Sequence, residues 1–178
     1  MTILAKEKTN ISVDTLEKIS NTDLADLCYN AEQAIKAGGG FGWITVPPRD
    51  VLKKYWNSML LIQTNTLIVG RLNGDIAGSM QLSFYPPNNE AQKTISTIKS
   101  HFVAPWARGY GLAKAMIDYA ILKSKENNKI NIQLDIRETQ TAAIQLFESK
   151  DFIRWGENPK YAFINGNPIK GYYYYRNI

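Results

Sequence analysis

Hydrophobic positions recur along this chain with two periods, and the switches between them lay out its elements. Ile11 to Ile19 has the spacing of a first strand. From Leu24 the period becomes helical: Leu24, Leu27, Cys28, Ala31, Ala34 and Ile35 fall on one face. Asn21 or Ser20 can cap this helix, and Gly38-Gly39-Gly40 ends it. A loop through Phe41, Trp43 and Ile44 reaches Pro47-Pro48. Pro48 suits the first turn of a second helix running to about Met59.

The pattern then turns to strands. Thr66 to Arg71 and Ile76 to Phe84 flank Asn73-Gly74, the signal of a tight hairpin. Pro86-Pro87-Asn88-Asn89 is a loop, and Thr94 to Val103 is the next strand. Gly109 to about Glu126 is helical, with Leu112, Ala115, Met116, Tyr119, Ala120 and Leu122 on one side. Asn131 to Ile136 alternates as a strand, and Thr141 to Ser149 is a shorter helix. Strand runs at Tyr161–Ile164 and Tyr172–Arg176 close the chain around an Asn165-Gly166-Asn167-Pro168 turn. The predicted order is β-α-α-β-β-β-α-β-α-β-β, a mixed α/β (α+β) chain without repeats or low-complexity linkers. A doubly wound dinucleotide fold would need more alternating βα units.

Composition narrows the function. The chain has 178 residues, enough for one domain with a substantial core. No apolar run is long enough for a bilayer. Met1 to Asn10 is polar and lacks a signal-peptide apolar region, so a cytoplasmic protein is expected. Cys28 is the lone cysteine and His101 the lone histidine, which excludes disulfide scaffolds and His/Cys-cluster metal sites; no metal is expected. The net charge of +5 comes from scattered residues, among them Lys53, Arg71, Lys99, Lys123 and Lys170. No nucleic-acid partner is expected from such a pattern.

The chemistry concentrates in Arg108-Gly109-Tyr110-Gly111-Leu112-Ala113, between a strand and a long helix. A turn of this kind aims free backbone N–H groups at one point, and the helix N-terminus adds partial positive charge there. That combination binds phosphate. The same glycines could instead serve only a tight strand-to-helix turn. A Walker-type loop is excluded, because Gly111 is followed by Leu112 and Ala113 rather than by Lys-Ser/Thr.

Phe102-Val103-Ala104-Pro105, the Arg108–Ala113 turn and the stretch Leu134-Asp135-Ile136-Arg137-Glu138-Thr139-Gln140-Thr141-Ala142-Ala143 to Ser149 together resemble the GNAT superfamily of N-acetyltransferases. The tail, with Pro159-Lys160-Tyr161-Ala162 and Gly171 to Tyr175, is similar to the branch containing tabtoxin resistance protein. The resemblance covers residues 1–178 as a single acetyltransferase domain, with an ordered core from about residue 10. It implies a GNAT-like fold: a central, mostly antiparallel twisted sheet of about seven strands, flanked by four helices, with the fourth and fifth strands splayed.

The resemblance also implies a direct transfer of an acetyl group from acetyl-CoA, as co-substrate, to a primary amine of a small molecule or peptide. Backbone at Phe102 and Val103 would meet the pantetheine arm. Arg108, Gly109, Tyr110, Gly111, Leu112 and Ala113 would hold the pyrophosphate, and Gln140, Ala143 and Phe147 would complete the cofactor site. The other reading is an acyl-CoA-binding sensor with weak or no catalysis. No membrane partner is implied, and a homodimer through the C-terminal strands stays open.

Three positions depart from the superfamily pattern. Phe147 stands where many members carry a tyrosine that can protonate the leaving thiolate. Gln140 stands where an asparagine is usual, and its amide could bond pantetheine or cap the helix. Thr97 stands near the usual glutamate base. His101, on the same strand and by alternation on the same face, is one candidate base. Asp135, which aligns with an aspartate of the tabtoxin-resistance branch, is the other. Trp43, Trp56 and one face of Tyr172 to Tyr175 could line an acceptor pocket or pack in the core.

Overall fold

The computed structural model describes residues 9–39 and 41–178. Gly40 and the polar leader before residue 9 lie outside them. Seven strands form one sheet in the order β1-β2-β3-β4-β5-β7-β6, with four helices against it. The strands are β1 Ile11–Thr15, β2 Asn65–Leu72, β3 Asp75–Phe84, β4 Ile95–Val103, β5 Asn131–Arg137, β6 Ile153–Ile164 and β7 Asn167–Asn177. The helices are α1 Asn21–Lys36, α2 Arg49–Met59, α3 Leu112–Glu126 and α4 Thr141–Glu148.

Local signals explain most boundaries. The Ser20 hydroxyl accepts the Asp23 N–H at 3.0 Å and caps α1. Asn73 and Gly74, both left-handed, turn β2 into β3. β1 stops at Thr15, short of the expected Ile19. β6 begins at Ile153, eight residues before the expected run. The strand absorbs Gly156 and Pro159 with register shifts between Arg154 and Gly156 and between Asn158 and Ala162.

Two apolar layers sandwich the sheet. Leu27, Ala31 and Ala34 of α1 and Leu52 and Trp56 of α2 cover Leu67, Val69, Ile76 and Phe102. On the other face Met116, Ile117, Ala120 and Ile121 of α3, with Phe147 of α4, cover Ile68, Met80, Leu82, Ile98 and Leu134. Leu122, expected inward, is 51% exposed. The stripe runs instead through Ile117, Ile121 and Ser124, whose hydroxyl meets the buried Ser96 hydroxyl at 2.9 Å. Gly70 lets α3 lie close on β2: a Cβ there would be 2.7 Å from Met116 Sδ and 2.8 Å from Leu112 Cδ1.

Two irregularities open the middle of the sheet. β4 and β5 are parallel and pair only at Ile95–Asn131, Ser96–Ile132 and Thr97–Gln133, after which they splay. Just past that point β4 carries one extra residue against β3, and Ser100 takes a left-handed φ of 52°. The extra residue breaks the alternation assumed from sequence. Ile98 faces the α3 layer, and Phe102 the α1/α2 layer. His101 meets the Phe147 ring edge-on at 5.7 Å, on the α4 side, so it does not share a face with Thr97 as strict alternation had implied.

Candidate active site

Two clefts meet at the splay. The first, about 540 Å³, lies between the end of β4, the turn into α3 and the start of α4. Its walls include Phe102, Val103, Arg108, Gly109, Gly111, Leu112 and Ala113, with Gln140 and Ala143 opposite. The Tyr110 side chain, 50% exposed, stands outside this lining.

The turn is built as a cradle. β4 passes into a 3₁₀ turn at Pro105–Ala107, and Gly109 and Gly111 follow at φ 84° and 87°. L side chains resist such angles, and glycine accepts them at no steric cost. Gly111 caps α3 without a side-chain hydrogen bond, so the first N–H groups of α3 have neither an intrahelical nor a side-chain acceptor. The space beside each of the two glycines is open. Among the described residues Arg108 pairs with no carboxylate. Trp106 pins the turn: its indole N–H donates to Asn30 Oδ1 at 2.7 Å, and the buried Asn30 amide donates to the Ile76 carbonyl at 2.5 Å. An N-terminal helix dipole, free N–H groups and an unpaired guanidinium together suit a polyphosphate.

The second cleft, about 520 Å³, passes between β4 and β5. Phe41, Lys99, Ser100 and His101 line one side, Asp135, Arg137 and Phe147 the other, and Tyr161 to Ile164 of β6 close it. Gly39, His101, Gln140 and Ala143 line both clefts and so mark their junction. Phe147 is buried, touches the second cleft and packs on Phe152. The Gln140 amide donates to the Gly38 carbonyl at 3.0 Å, and no side chain caps α4. In this geometry Gln140 neither caps its helix nor is free; it ties the end of α1 to the start of α4.

The two candidate bases differ electrically. His101 Nε2 is enclosed and has no hydrogen-bond partner. Burial pushes its pKa down to about 4, so the imidazole is neutral at physiological pH. Asp135 is exposed to the second cleft and accepts a hydrogen bond from the Tyr161 hydroxyl. Burial, and then the neighbouring carboxylate, hold the Tyr161 phenol well above its usual range, so it stays protonated.

Sequence reasoning missed several of these residues. Tyr55 of α2 accepts from the Gln81 amide at 2.7 Å and bonds the Ser100 side chain, bracing the bulge. Phe41 stacks on Tyr55 and meets Trp43, Trp56 and Phe102, so the early aromatics form one cluster. Trp56 is fully buried, which makes it core. Tyr174 is buried on the α4 side and donates to Glu148, whereas Tyr173 lies beside Tyr161.

No helix among the described residues is long and apolar enough to cross a membrane. No group of three or more His, Cys, Asp or Glu stands together among them to hold a metal ion.

Comparison with known proteins agrees with this layout. The profile of the Acetyltransferase (GNAT) family matches residues 28–152. A protein of Azospirillum brasilense, described as an uncharacterized N-acetyltransferase in the hisH-hisA intergenic region, is 42% identical over 132 residues, 74% of this chain and 79% of that protein. Among solved structures, an Acinetobacter baylyi ADP1 protein described as an acetyltransferase superposes with TM-score 0.80 at 16% identity, covering 98% of this chain and 95% of that one. The Salmonella typhimurium protein yncA, solved with its cofactor acetyl-CoA, superposes with TM-score 0.75 at 15% identity, covering 94% of each chain.

Proposed function

Because this chain belongs to the Acetyltransferase (GNAT) family, we propose that it is a single-domain, acetyl-CoA-dependent N-acetyltransferase acting on a primary amine. The observation that carries the reading is the meeting of two clefts at His101. One ends in a phosphate cradle, and the other holds a carboxylate. The residues of the first cleft fit acetyl-CoA, which supplies an activated acetyl thioester when bound. Arg108 and the N–H groups from Gly109 to Ala113 would hold its pyrophosphate, and the β4 backbone at Phe102 and Val103 its arm.

In this reading the second cleft receives the acceptor. Asp135 takes the ammonium by a charge-assisted hydrogen bond. The amine must lose that proton before it attacks and a second one as the amide forms. The neutral His101 has a lone pair available for the second, which is the more acidic of the two. Its low pKa makes it a poor base toward a free ammonium, so that first proton is lost to water while Asp135 holds the nitrogen, and the C–S bond then breaks with CoA leaving as its thiolate. Most of the acceleration would come from holding the two substrates in line across the junction. We take the acceptor to be the amine of a small molecule, in line with a cleft closed by Tyr161 to Ile164 of β6, and the sequence resemblance of the tail to the tabtoxin-resistance branch belongs to the same proposal.

One observation favours the second reading, an acyl-CoA-binding protein with little turnover. Phe147 offers no proton to a departing sulfur, and its ring is buried against His101. Calorimetric titration with acetyl-CoA followed by a thiol-release screen across primary amines separates the two. Binding with amine-dependent release is expected. Binding without release for every amine supports the sensor, and failure to bind overturns both.

A further inference from the structure

Asp135 does not stand alone. On β6 the register shift between Asn158 and Ala162 lifts Pro159 and Lys160 out of the ladder, and the Asn158 side chain accepts the Lys160 N–H at 2.9 Å. The lift lays Tyr161 across β7 at Gly171, where a Cβ would collide with the Cβ, Cγ and Cδ2 atoms of the tyrosine. Gly171 is buried and pairs with Arg137 of β5. Its neighbour on the same strand, Tyr173, is the cross-strand partner of Asp135 and meets the Tyr161 ring edge-on at 6.3 Å. The ring is thus held from below and from the side, and its hydroxyl reaches Asp135 Oδ2.

We propose that Tyr161 is a positioning residue: seated on Gly171, it occupies one oxygen of Asp135 and turns the other toward the acceptor's ammonium. The proposal rests on the acetyltransferase reading above and adds the device that selects a cationic acceptor. A carboxylate with two free oxygens at an exposed site rotates and shares its charge with water. One oxygen fixed by a neutral donor leaves a single, directed acceptor for an N–H of the substrate. The phenol suits this task because it stays protonated and so never competes as an anion. The other charged or titratable groups around the pair are Lys99 and His101 of β4, Arg137 of β5 and Tyr173 of β7.

The test uses Tyr161→Phe, which keeps the ring on Gly171 and removes only the hydroxyl. The probes are ethanolamine, putrescine and tyramine, with thiol release as readout. We expect unchanged acetyl-CoA affinity, a KM for the amine raised about tenfold, as for the loss of one charge-assisted contact, and a smaller change in kcat. Gly171→Ala, which displaces the ring, should act in the same direction, and adding Tyr161→Phe to it should cost no more. A Tyr161→Phe enzyme with wild-type KM for all three amines overturns the proposal. Carbon-13 labelling of aspartate carboxyls gives a readout independent of turnover: at one fixed neutral pH the Asp135 carboxyl resonance should shift in Tyr161→Phe relative to wild type as its hydrogen bond is lost, and coincident resonances overturn the pairing. Should the wild type release no thiol with any amine, the acetyltransferase reading fails while the carboxyl resonance still decides the Tyr161–Asp135 pair.

Discussion

Ile98 and Phe102 sit on the same strand, yet Ile98 packs under α3 and Phe102 packs against Trp56 of α2. In a regular strand residues with this spacing share a face. The inversion comes from one extra residue near Ser100, and it puts His101 at the junction of the two clefts.

Ser100 supports this inversion at φ 52°, an angle that costs an L residue about 1 kcal/mol. Ser100→Gly should relieve the strain but forfeit the bond to Tyr55, leaving stability within about 1 kcal/mol of wild type. Deletion of Ser100 should be far worse, because it would swing Phe102 into the wrong layer. Urea denaturation of the two variants compares them directly.

Gly111→Asp puts a carboxylate in the turn proposed to hold the pyrophosphate, on a residue held at φ 87°. Acetyl-CoA affinity should fall at least tenfold, an effect of about 1.4 kcal/mol or more for one misplaced charge beside a pyrophosphate. Calorimetry would read it, with a desulfurised or free CoA titration as a second ligand. Equal affinity in the two proteins would remove the cradle from the proposed function.

Gly70→Ala brings a methyl within 3 Å of both Met116 and Leu112. Overpacking of this kind costs about 1–3 kcal/mol. α3 should be pushed off β2, lowering the denaturation midpoint. Because α3 begins at the cradle, acetyl-CoA binding should weaken in the same variant.

His101 makes stability depend on pH. Its pKa falls from 6.5 in the unfolded chain to about 4 in the folded one. Between those values the unfolded state binds the extra proton, so stability conferred by the neutral imidazole is full above about pH 6.5 and is lost as pH falls toward 4. The shift corresponds to roughly 3 kcal/mol at most. In His101→Gln the dependence of unfolding free energy on pH should flatten across this window; a slope as steep as that of wild type would refute the assignment.

The legible parts of this fold are those with local causes. Asn73-Gly74 announces its hairpin, Ser20 its helix cap, and Arg108 to Ala113 the turn into α3, since each signal lies within a few residues of its effect. The bulge at β4 has no such mark, because serine at a left-handed position looks like any strand serine. Its partner Tyr55 is on another element altogether. Tyr161 and Asp135 lie on strands separated in the sheet by β7, so the pair exists only through strand order. The bulge between Asn158 and Ala162 that presents Tyr161 lies inside a strand expected to start only at Tyr161.

The splay between β4 and β5 gives the sheet two edges in its own interior. An outer edge such as that of β6 is open to any extended chain and so carries a standing hazard of edge-to-edge association. The inner edges expose the same kind of unpaired backbone but face each other within one sheet, across a cleft lined by Phe41, His101 and Phe147. Unpaired backbone in this position is walled by the protein's own strands and helices, whereas the outer edge of β6 is not.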